Sequence, residues 1–129
     1  MTLDTSALVA VLFSEPGYLD LIDRMLEADT LRVGAPTLVE TSMVFAGRRG
    51  RAEDREVHDL VRELGVAVVP FGETEWRLAA EAFGRFGRGR HQASLNFGDC
   101  LAYATAVSAG DSLLCVGAAF RYTDVAPAS

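Results

Sequence analysis

Short apolar runs alternate with helical spacings of apolar residues along the whole chain. Runs of strand length lie at residues 31–34, 66–69 and 113–116. Elsewhere apolar residues recur at i, i+3, i+4 and i+7, for example from Tyr18 to Met25, which predicts amphipathic helices. The β-branched run at 66–69 predicts a strand buried on both faces. Strands that alternate with helices predict a parallel sheet with helices on both sides, that is, the α/β class.

Capping and turn residues predict where several helices begin and end. Asp4 precedes the apolar run at 7–13, which predicts a short strand that turns directly into a buried helix. Thr37 and Glu40 have the spacing of a capping box and predict a helix start, and Gly47 and Gly50 predict its end. In such folds, ligands bind beyond the carboxyl ends of the strands, so the chemistry is expected at that edge of the sheet.

Trp76 and Phe83 lie at helical spacing with Ala79 and Ala80 in a further predicted helix. Aromatic residues at this spacing more often belong to a core than to a stacking surface for a ligand. We therefore expect Trp76 and Phe83 to be buried.

Length and composition fit one soluble globular domain that covers residues 1–129. The chain has 129 residues, of which 50% are hydrophobic, enough for one sizeable core. No uninterrupted apolar run reaches the 18 residues of a membrane span, so no membrane partner is expected. The first residues lack the pattern of a secretory signal, which predicts a cytoplasmic protein. The tail at 126–129 is expected to be frayed.

The charge distribution leaves a nucleic-acid partner open despite a formal net charge of −6. Residues 82–98 contain no acid, and their basic side chains are Arg85, Arg88, Arg90 and His91. Two interpretations have equal weight: this loop positions phosphate, or it is a solvated, Gly-rich loop. Arginines that bind phosphate can equally bind an acidic segment of a partner protein. A second group is interpreted as ion pairs on a surface helix, and it comprises Arg48, Arg49, Arg51, Glu53, Asp54, Arg55 and Glu56.

Three acids are predicted to meet at the carboxyl edge of the sheet. Asp4 follows the first strand, Glu40 lies near the start of the helix after the second, and Asp99 opens the helix after the Arg-rich loop. Each acid alone is explained by helix capping or by the helix dipole. Together, converging carboxylates repel one another unless one is protonated or a cation neutralises them. Oxygen ligands suit Mg²⁺ or Mn²⁺, which can activate water against a phosphodiester.

The motifs around these acids resemble those of the PIN-domain ribonucleases, and specifically the VapC toxins of bacterial toxin–antitoxin systems. The resemblance covers nearly the whole chain and is carried by LDTSAL at residues 3–8, by Val39-Glu40 and by residues 90–104, with LNFGDC as the most specific part. It implies a three-layer α/β/α sandwich with four or five short strands. It also implies metal-dependent endonucleolytic cleavage of tRNA or ribosomal RNA, a homodimer and a VapB-like antitoxin that covers the site.

The resemblance also implies roles for individual residues. Asp4, Glu40 and Asp99 match the first three acids of the family's metal site. Thr5, Ser6 and Asn96 match supporting polar positions. The family's fourth acid falls in the stretch Gly117-Ala118-Ala119-Phe120, so both acidic positions are alanine here. Asp124 is the nearest later acid, and it is interpreted first as structural, with replacement of the lost ligand as the lesser alternative.

The sequence thus predicts a Mg²⁺- or Mn²⁺-dependent endoribonuclease, a hydrolase of phosphodiester bonds, whose activity could be reduced by the alanine at position 118. The alternative is a catalytically silent PIN domain that binds RNA or an antitoxin without turnover. Loss of the fourth acid motivates this alternative.

Overall fold

Four short parallel strands form the centre of the fold in the order β3-β2-β1-β4. The computed structural model describes residues 1–51 and 54–128. Within these, the elements are β1 (Thr2–Leu3), α1 (Thr5–Leu12), α2 (Tyr18–Glu27), β2 (Arg32–Gly34), α3 (Ala35–Arg49), α4 (Arg55–Glu63), β3 (Ala67–Val69), α5 (Glu73–Phe86), α6 (Phe97–Ala109), β4 (Leu113–Leu114) and a 3₁₀ turn (Ala119–Tyr122). The predicted parallel sheet is confirmed.

Two hydrophobic clusters cover the two faces of the sheet. The first joins strand residues such as Leu3 and Val33 to α1 and α2, and partly buried residues of α4 pack against it. The second joins Leu113 of β4 to α5, α6 and the 3₁₀ turn, with Tyr103 and Phe120 among its buried aromatic side chains. Apolar faces of helices therefore enclose the sheet from both sides, and the predicted three-layer α/β/α sandwich is confirmed.

Helix α3 begins earlier than the sequence pattern predicted. It starts at Ala35 and carries Pro36 in its first turn. Backbone N–H groups of the first turn have no acceptor within the helix, so a proline there loses no hydrogen bond. Thr37 is therefore buried inside the helix rather than at its N-cap, and the predicted capping box with Glu40 is wrong. The predicted end is confirmed at Gly50, the C-cap with a left-handed backbone at φ 73°, whereas Gly47 lies inside the helix.

Strand β3 is not buried on both faces, so that prediction is wrong. It pairs only with β2 in the sheet order and lies at an edge. Ala67 and Val68 are exposed, with 48% of Val68 accessible. A continuous β-branched run indicates a strand but does not distinguish an edge from a centre.

The expected burial of Trp76 and Phe83 is also wrong. Trp76 is 58% exposed and Phe83 41% exposed on the outer side of α5. The face of α5 that packs against α6 instead buries Ala82 and Phe86. The described residues thus leave a broad apolar surface on this helix uncovered.

The remaining expectations concern the tail and the surface charges. Leu113 pairs in parallel with Pro127, and Ala128 donates a backbone hydrogen bond to Leu113, so residues 126–128 are bonded to the sheet edge rather than frayed. Ion pairs join Arg48 to Glu15 and Arg49 to Glu56. Ala52, Glu53 and Ser129 lie outside the described residues. In the described ranges, no helix has the length and apolar character needed to cross a membrane.

One close approach fixes α6 against the sheet. Gly34, at the end of β2, is buried, and a Cβ built on it would lie 2.5 Å from Oγ1 of Thr105. Thr105 is itself buried and donates to the Leu101 carbonyl at 3.1 Å. Only glycine permits this spacing between strand and helix.

We predict that Gly34→Ala lowers the free energy of unfolding by about 1–3 kcal/mol, the usual cost of overpacking. Removal of the Thr105 hydroxyl should relieve most of this cost, because the next Thr105 atoms lie 3.5 Å away, an ordinary contact. Urea unfolding of Gly34→Ala, Thr105→Ala and the double variant measures the coupling free energy between positions 34 and 105. Equal costs of Gly34→Ala in both backgrounds would show that this contact does not set the spacing.

Candidate active site

Asp4, Glu40 and Asp99 line one cleft of about 240 Å³ at the carboxyl edge of the sheet. They come from three elements: Asp4 follows β1, Glu40 lies on α3, and Asp99 lies in the first turn of α6. The structure therefore brings together the three acids that the sequence singled out. The other residues of the cleft are Thr5, Ser6, Val9, Val44, Arg48 and Asn96.

Asp4 is the most deeply buried acid of the cleft, with 5% of its surface exposed. It is the N-cap of α1, and its Oδ2 accepts hydrogen bonds from the Ser6 backbone N–H at 3.1 Å and the Ser6 hydroxyl at 2.5 Å. Burial raises the pKa of Asp4 from 3.8 to about 6; the bonds from Ser6 oppose the rise, and the charges of Asp99 and Glu40 add to it. The cleft thus holds a carboxylate whose negative charge is poorly solvated.

Hydroxyl groups of α1 connect the acids to neighbouring elements. Ser6 Oγ accepts from the backbone N–H of Val116 at 2.9 Å, which ties Asp4 to the segment after β4. Thr5 donates to Oε1 of Glu40 at 2.5 Å and so ties α1 to α3. These partners fix the position of two carboxylates without neutralising their charge.

Asp99 is held by a reciprocal cap at the start of α6. Its backbone N–H donates to Asn96 Oδ1 at 2.9 Å, and its Oδ2 accepts from the Asn96 backbone N–H at 3.0 Å. Burial raises the pKa of Asp99, and the charge of Glu40 adds to this, whereas the bond from Asn96 and the charge of Arg88 oppose it. The cap thus fixes Asp99 through one carboxylate oxygen at the rim of the cleft that it lines.

Gly98 makes room for the Glu40 carboxylate. A Cβ on Gly98 would collide with both oxygens of Glu40, one of them at 2.6 Å. Glu40 therefore lies directly against the backbone that precedes Asp99, which brings α3 and the start of α6 together. Any larger residue at position 98 would displace this carboxylate.

The donor chemistry of the cleft fits a hard divalent cation. All three acids supply oxygen ligands, and Mg²⁺ binds through only one or two carboxylates with water in its other positions. A bound cation would also remove the repulsion that, together with burial, raises the pKa of Asp4. In residues 1–51 and 54–128, no three His, Cys, Asp or Glu side chains form a ready cage for a metal. In the described residues, the three acids are therefore not placed for one ion to bind all three at once, and Mg²⁺ would be held by one or two of them.

The structure separates the four basic residues of the Arg-rich loop. Arg88 acts on the charge of Asp99 and so lies near the cleft. Arg85 forms an ion pair with Asp124 at 3.0 Å, and the Arg90 guanidinium lies 5.4 Å from the Phe83 ring. His91 accepts a hydrogen bond from the Ala93 N–H at 3.1 Å within the turn. Of the four, Arg88 is the residue whose charge lowers the pKa of an acid of the cleft, Asp99.

Ala118 occupies the position at which the family resemblance implies a fourth acid. Ala118 is exposed and precedes the 3₁₀ turn, two residues after Val116, which bonds to Ser6. Asp124 is held elsewhere: its Oδ1 accepts from the Tyr103 hydroxyl at 2.6 Å and its Oδ2 from Arg85 at 3.0 Å. The Tyr103 bond, with Arg85, keeps the pKa of Asp124 below its usual value. Both oxygens of Asp124 have structural partners, in line with its interpretation as structural.

Arg48 is a residue of the cleft that the sequence interpretation missed. It was grouped with surface ion pairs, but its side chain lines the same cleft as the three acids. Glu40, Val44 and Arg48 are spaced by four residues on α3, and this spacing places side chains on neighbouring turns of one helix face. That regular spacing from Glu40 is the signal that could have identified Arg48.

Comparison with known proteins supports the resemblance seen in the sequence. Residues 1–125 match the PIN domain family. The chain is 40% identical over 127 residues to a protein named Ribonuclease VapC from Mycolicibacterium smegmatis, with 98% of each chain covered.

Solved structures share the fold at lower sequence identity. Crystal structures of Mycobacterium tuberculosis VapC20, a sarcin–ricin loop cleaving toxin, and of Rickettsia felis VapBC2 bound to a promoter DNA fragment each match with a TM-score of 0.71. Their identities are 16% and 14%; each match covers 98% of this chain, with 98% and 95% of the other chain covered. Fold, acidic cleft and sequence similarity agree, and the chain belongs to the PIN-domain family of VapC ribonucleases.

Proposed function

We propose that this protein is a toxin endoribonuclease that hydrolyses RNA phosphodiester bonds at the cleft of Asp4, Glu40 and Asp99. The observation that carries the proposal is the convergence of three carboxylates from three elements in one cleft. The 40% identity to a protein named Ribonuclease VapC over nearly the whole chain supports the same chemistry. Structured RNA such as tRNA or ribosomal RNA is the proposed substrate class, and the cytoplasm is the proposed compartment.

Mg²⁺ or Mn²⁺ is the proposed cofactor, with Asp4, Asp99 and Glu40 as its protein ligands. Such an ion, when bound, activates water and offsets the charge of the phosphodiester under attack. The chain's own contribution is orientation: Ser6 fixes Asp4, Thr5 fixes Glu40, and Asn96 fixes Asp99. Arg88 supplies positive charge beside Asp99 and is proposed to approach the RNA backbone.

A catalytically silent domain that binds RNA or an antitoxin is the second candidate. One observation favours it: position 118 carries alanine, and Asp124 is engaged by Tyr103 and Arg85 rather than turned to the cleft. Three carboxylates suffice for one Mg²⁺ ion, because this ion keeps several water ligands. We therefore favour a single-metal enzyme over the silent domain.

We also propose two protein partners. The first is a cognate VapB-like antitoxin, in line with the VapBC2 assembly of the structural relative from Rickettsia felis. The second is another copy of this chain. The VapC family resemblance implies a homodimer, and the structure offers an apolar surface for it.

This surface, called the apolar face below, is formed by α3, α5 and the start of α6. Its most exposed side chains are Val39 (58%), Met43 (69%), Trp76 (58%) and Phe97 (80%). Two grooves of about 690 and 630 Å³ run along it and share Phe71, Phe97 and Leu101. Exposed patches of this kind mark interaction sites. A twofold interface pairs the same patch on both copies, so an almost uncharged apolar surface can be buried against its own copy without leaving charges unpaired.

The proposed function predicts RNA cleavage that depends on both metal and Asp99. The purified protein, freed of antitoxin, is incubated with total tRNA and ribosomal RNA in Mg²⁺, in Mn²⁺ and in chelator. We expect discrete products with metal and a loss of at least about 100-fold in rate for Asp99→Asn, because an amide cannot replace the anionic ligand.

Circular dichroism of Asp99→Asn should match the wild type, which separates loss of chemistry from loss of fold. Unchanged cleavage by Asp99→Asn would remove Asp99 from the site. Intact RNA under every metal condition, with RNA still bound, would establish the silent domain instead.

The pKa of Asp4 predicts that metal stabilises the fold mainly above pH 6. A pKa raised from 3.8 to about 6 gives a stabilising contribution that is full below pH 3.8 and is lost as the pH rises through 6. At pH 7.5 in chelator, Asp4→Asn should therefore raise the free energy of unfolding, by up to about 3 kcal/mol. The midpoint temperature of thermal unfolding of the wild type should increase when Mn²⁺ is added at pH 7.5 and should hardly change when Mn²⁺ is added at pH 5.

Asp23→Asn on the exposed face of α2 is the matched control, since it removes the same charge away from the cleft. It should keep the Mn²⁺ response that Asp4→Asn loses. An equal Mn²⁺ response in Asp4→Asn and Asp23→Asn would contradict a role for Asp4 in holding metal.

The apolar face predicts a dimer that Trp76→Glu dissociates. Sedimentation velocity should give twice the 13.9 kDa mass for the wild type, and Trp76→Glu should weaken association at least about 10-fold because it places a charge in an apolar interface. Leu19→Glu on α2 is the control, because Leu19 is 63% exposed and lies outside the apolar face. A monomeric wild type, or dissociation by Leu19→Glu alone, would contradict this interface.

A further inference from the structure

Arg48 brings a positive charge to the cleft from α3. It lies two helical turns beyond Glu40, and its side chain lines the same cleft as Asp4 and Asp99. Its position near the end of α3 also suits a cation, because the helix dipole is negative there. Arg48 is therefore the arginine that lines the cleft among the described residues, while Arg88, in the loop before α6, acts on the pKa of Asp99 through its charge.

The guanidinium of Arg48 is held in place by two neighbours. Nη1 donates to Oε1 of Glu15 at 3.0 Å, and the group lies 5.0 Å from the centroid of the Phe13 ring. About half of the Arg48 side chain and 40% of the Glu15 side chain remain exposed. An arginine has five N–H donors in a planar fork, and Nη1 is the nitrogen that bonds to a carboxylate in the described part of the chain. Arg48 is thus positioned while it keeps donors for a further anion.

An anionic substrate needs such a cation at this cleft. Three carboxylates line the cleft and repel RNA phosphates along with one another. A metal offsets charge at the scissile phosphodiester, but the flanking phosphates of the same strand still face the acids. Arginine binds phosphate oxygens with good geometry, often through two parallel hydrogen bonds.

We propose that Arg48 binds an RNA phosphate adjacent to the scissile bond, and that Glu15 holds its guanidinium ready for that contact. The inference rests on the proposed ribonuclease function. Arg48 is a binding residue in this arrangement, not a group that reacts. Glu15 competes with the phosphate for the guanidinium, so it orients Arg48 at some cost in RNA affinity.

Arg49 provides a matched control on the same helix. It carries the same charge, lies 5.1 Å from the centroid of the same Phe13 ring, and pairs with Glu56 rather than with Glu15. It does not belong to the residues that line the cleft. A comparison of Arg48→Gln with Arg49→Gln therefore separates a local phosphate contact from a general loss of positive charge.

The experiment measures binding of fluorescein-labelled total tRNA and of labelled ribosomal RNA by anisotropy, in Mg²⁺ buffer, with Asp99→Asn in every variant so that cleavage does not interfere. Arg48→Gln should weaken binding about 10-fold and reduce the slope of log K against log salt by about 1, as expected for one lost phosphate contact. Arg48→Lys should recover part of the affinity, and Arg49→Gln should change neither quantity. In the cleaving protein, Arg48→Gln should raise KM more than it lowers kcat.

The direction in which Glu15→Gln changes RNA affinity distinguishes a phosphate-binding role of Arg48 from a structural one. If Arg48 binds RNA, loss of its competitor should tighten RNA binding two- to threefold, whereas Arg48→Gln weakens it. If the Arg48–Glu15 pair only holds α3 against the segment between α1 and α2, both variants should shift RNA binding in the same direction. Thermal unfolding reports the structural part separately, since each variant breaks the same ion pair.

The outcomes distinguish this inference from the function on which it rests. If the parent binds RNA and Arg48→Gln leaves this binding unchanged, the role of Arg48 is overturned and the proposed function stands. The same holds if Arg49→Gln weakens RNA binding as much as Arg48→Gln does. An absence of RNA binding in the parent protein overturns both. Opposite effects of Arg48→Gln and Glu15→Gln support the inference.

Discussion

The repulsion among three carboxylates in one cleft is the constraint on which this structure depends. Asp4 is almost completely buried, and Glu40 and Asp99 are close enough for their charges to raise its pKa further. Folding alone does not resolve this repulsion, because burial of a charge is costly unless a partner compensates it. The chain tolerates it since the acids lie at the ends of different elements, where the parallel sheet and the helix starts fix them. The unfavourable charge is thus retained at a position where a cation relieves it, which is typical of functional sites.

The hydrogen bonds that orient the acids also join the elements of the fold. Ser6 holds Asp4 and at the same time accepts from the backbone N–H of Val116 after β4, so a carboxylate of the cleft and the end of a strand share one hydroxyl. Thr5 links α1 to Glu40 on α3 in the same way. Because these contacts serve both packing and orientation, the geometry of the cleft changes little unless the packing of α1 changes with it. This coupling explains how a domain of such short strands can hold three charges at fixed positions.

The sequence was informative where a local pattern has one physical cause. Asp4 before an apolar helix and Gly50 after α3 each correspond to the cap that the structure shows. The alternation of strands and helices was sufficient for the parallel sheet. The convergence of the three acids followed from topology, because strand ends and the helix starts that follow them share an edge. The start of α3 could not be placed, since a Thr-x-x-Glu pattern occurs by chance and Pro36 equally permits an earlier start.

Burial is the property that the helical period does not determine. Phe45 and Trp76 both lie at helical spacings, yet Phe45 is 1% exposed and Trp76 58% exposed. The period shows that a helix has an apolar face, whereas the cover of that face depends on which other element reaches it, or on whether a second molecule does. Arg48 illustrates the same limit for charge: its neighbours along the chain suggest a solvated surface, but its place on α3 is two turns from Glu40, above the acids. The exposure of Trp76 and the place of Arg48 in the cleft can be assigned only when the elements that surround each helix face are known. Both residues lie on surfaces through which this domain would contact its partners.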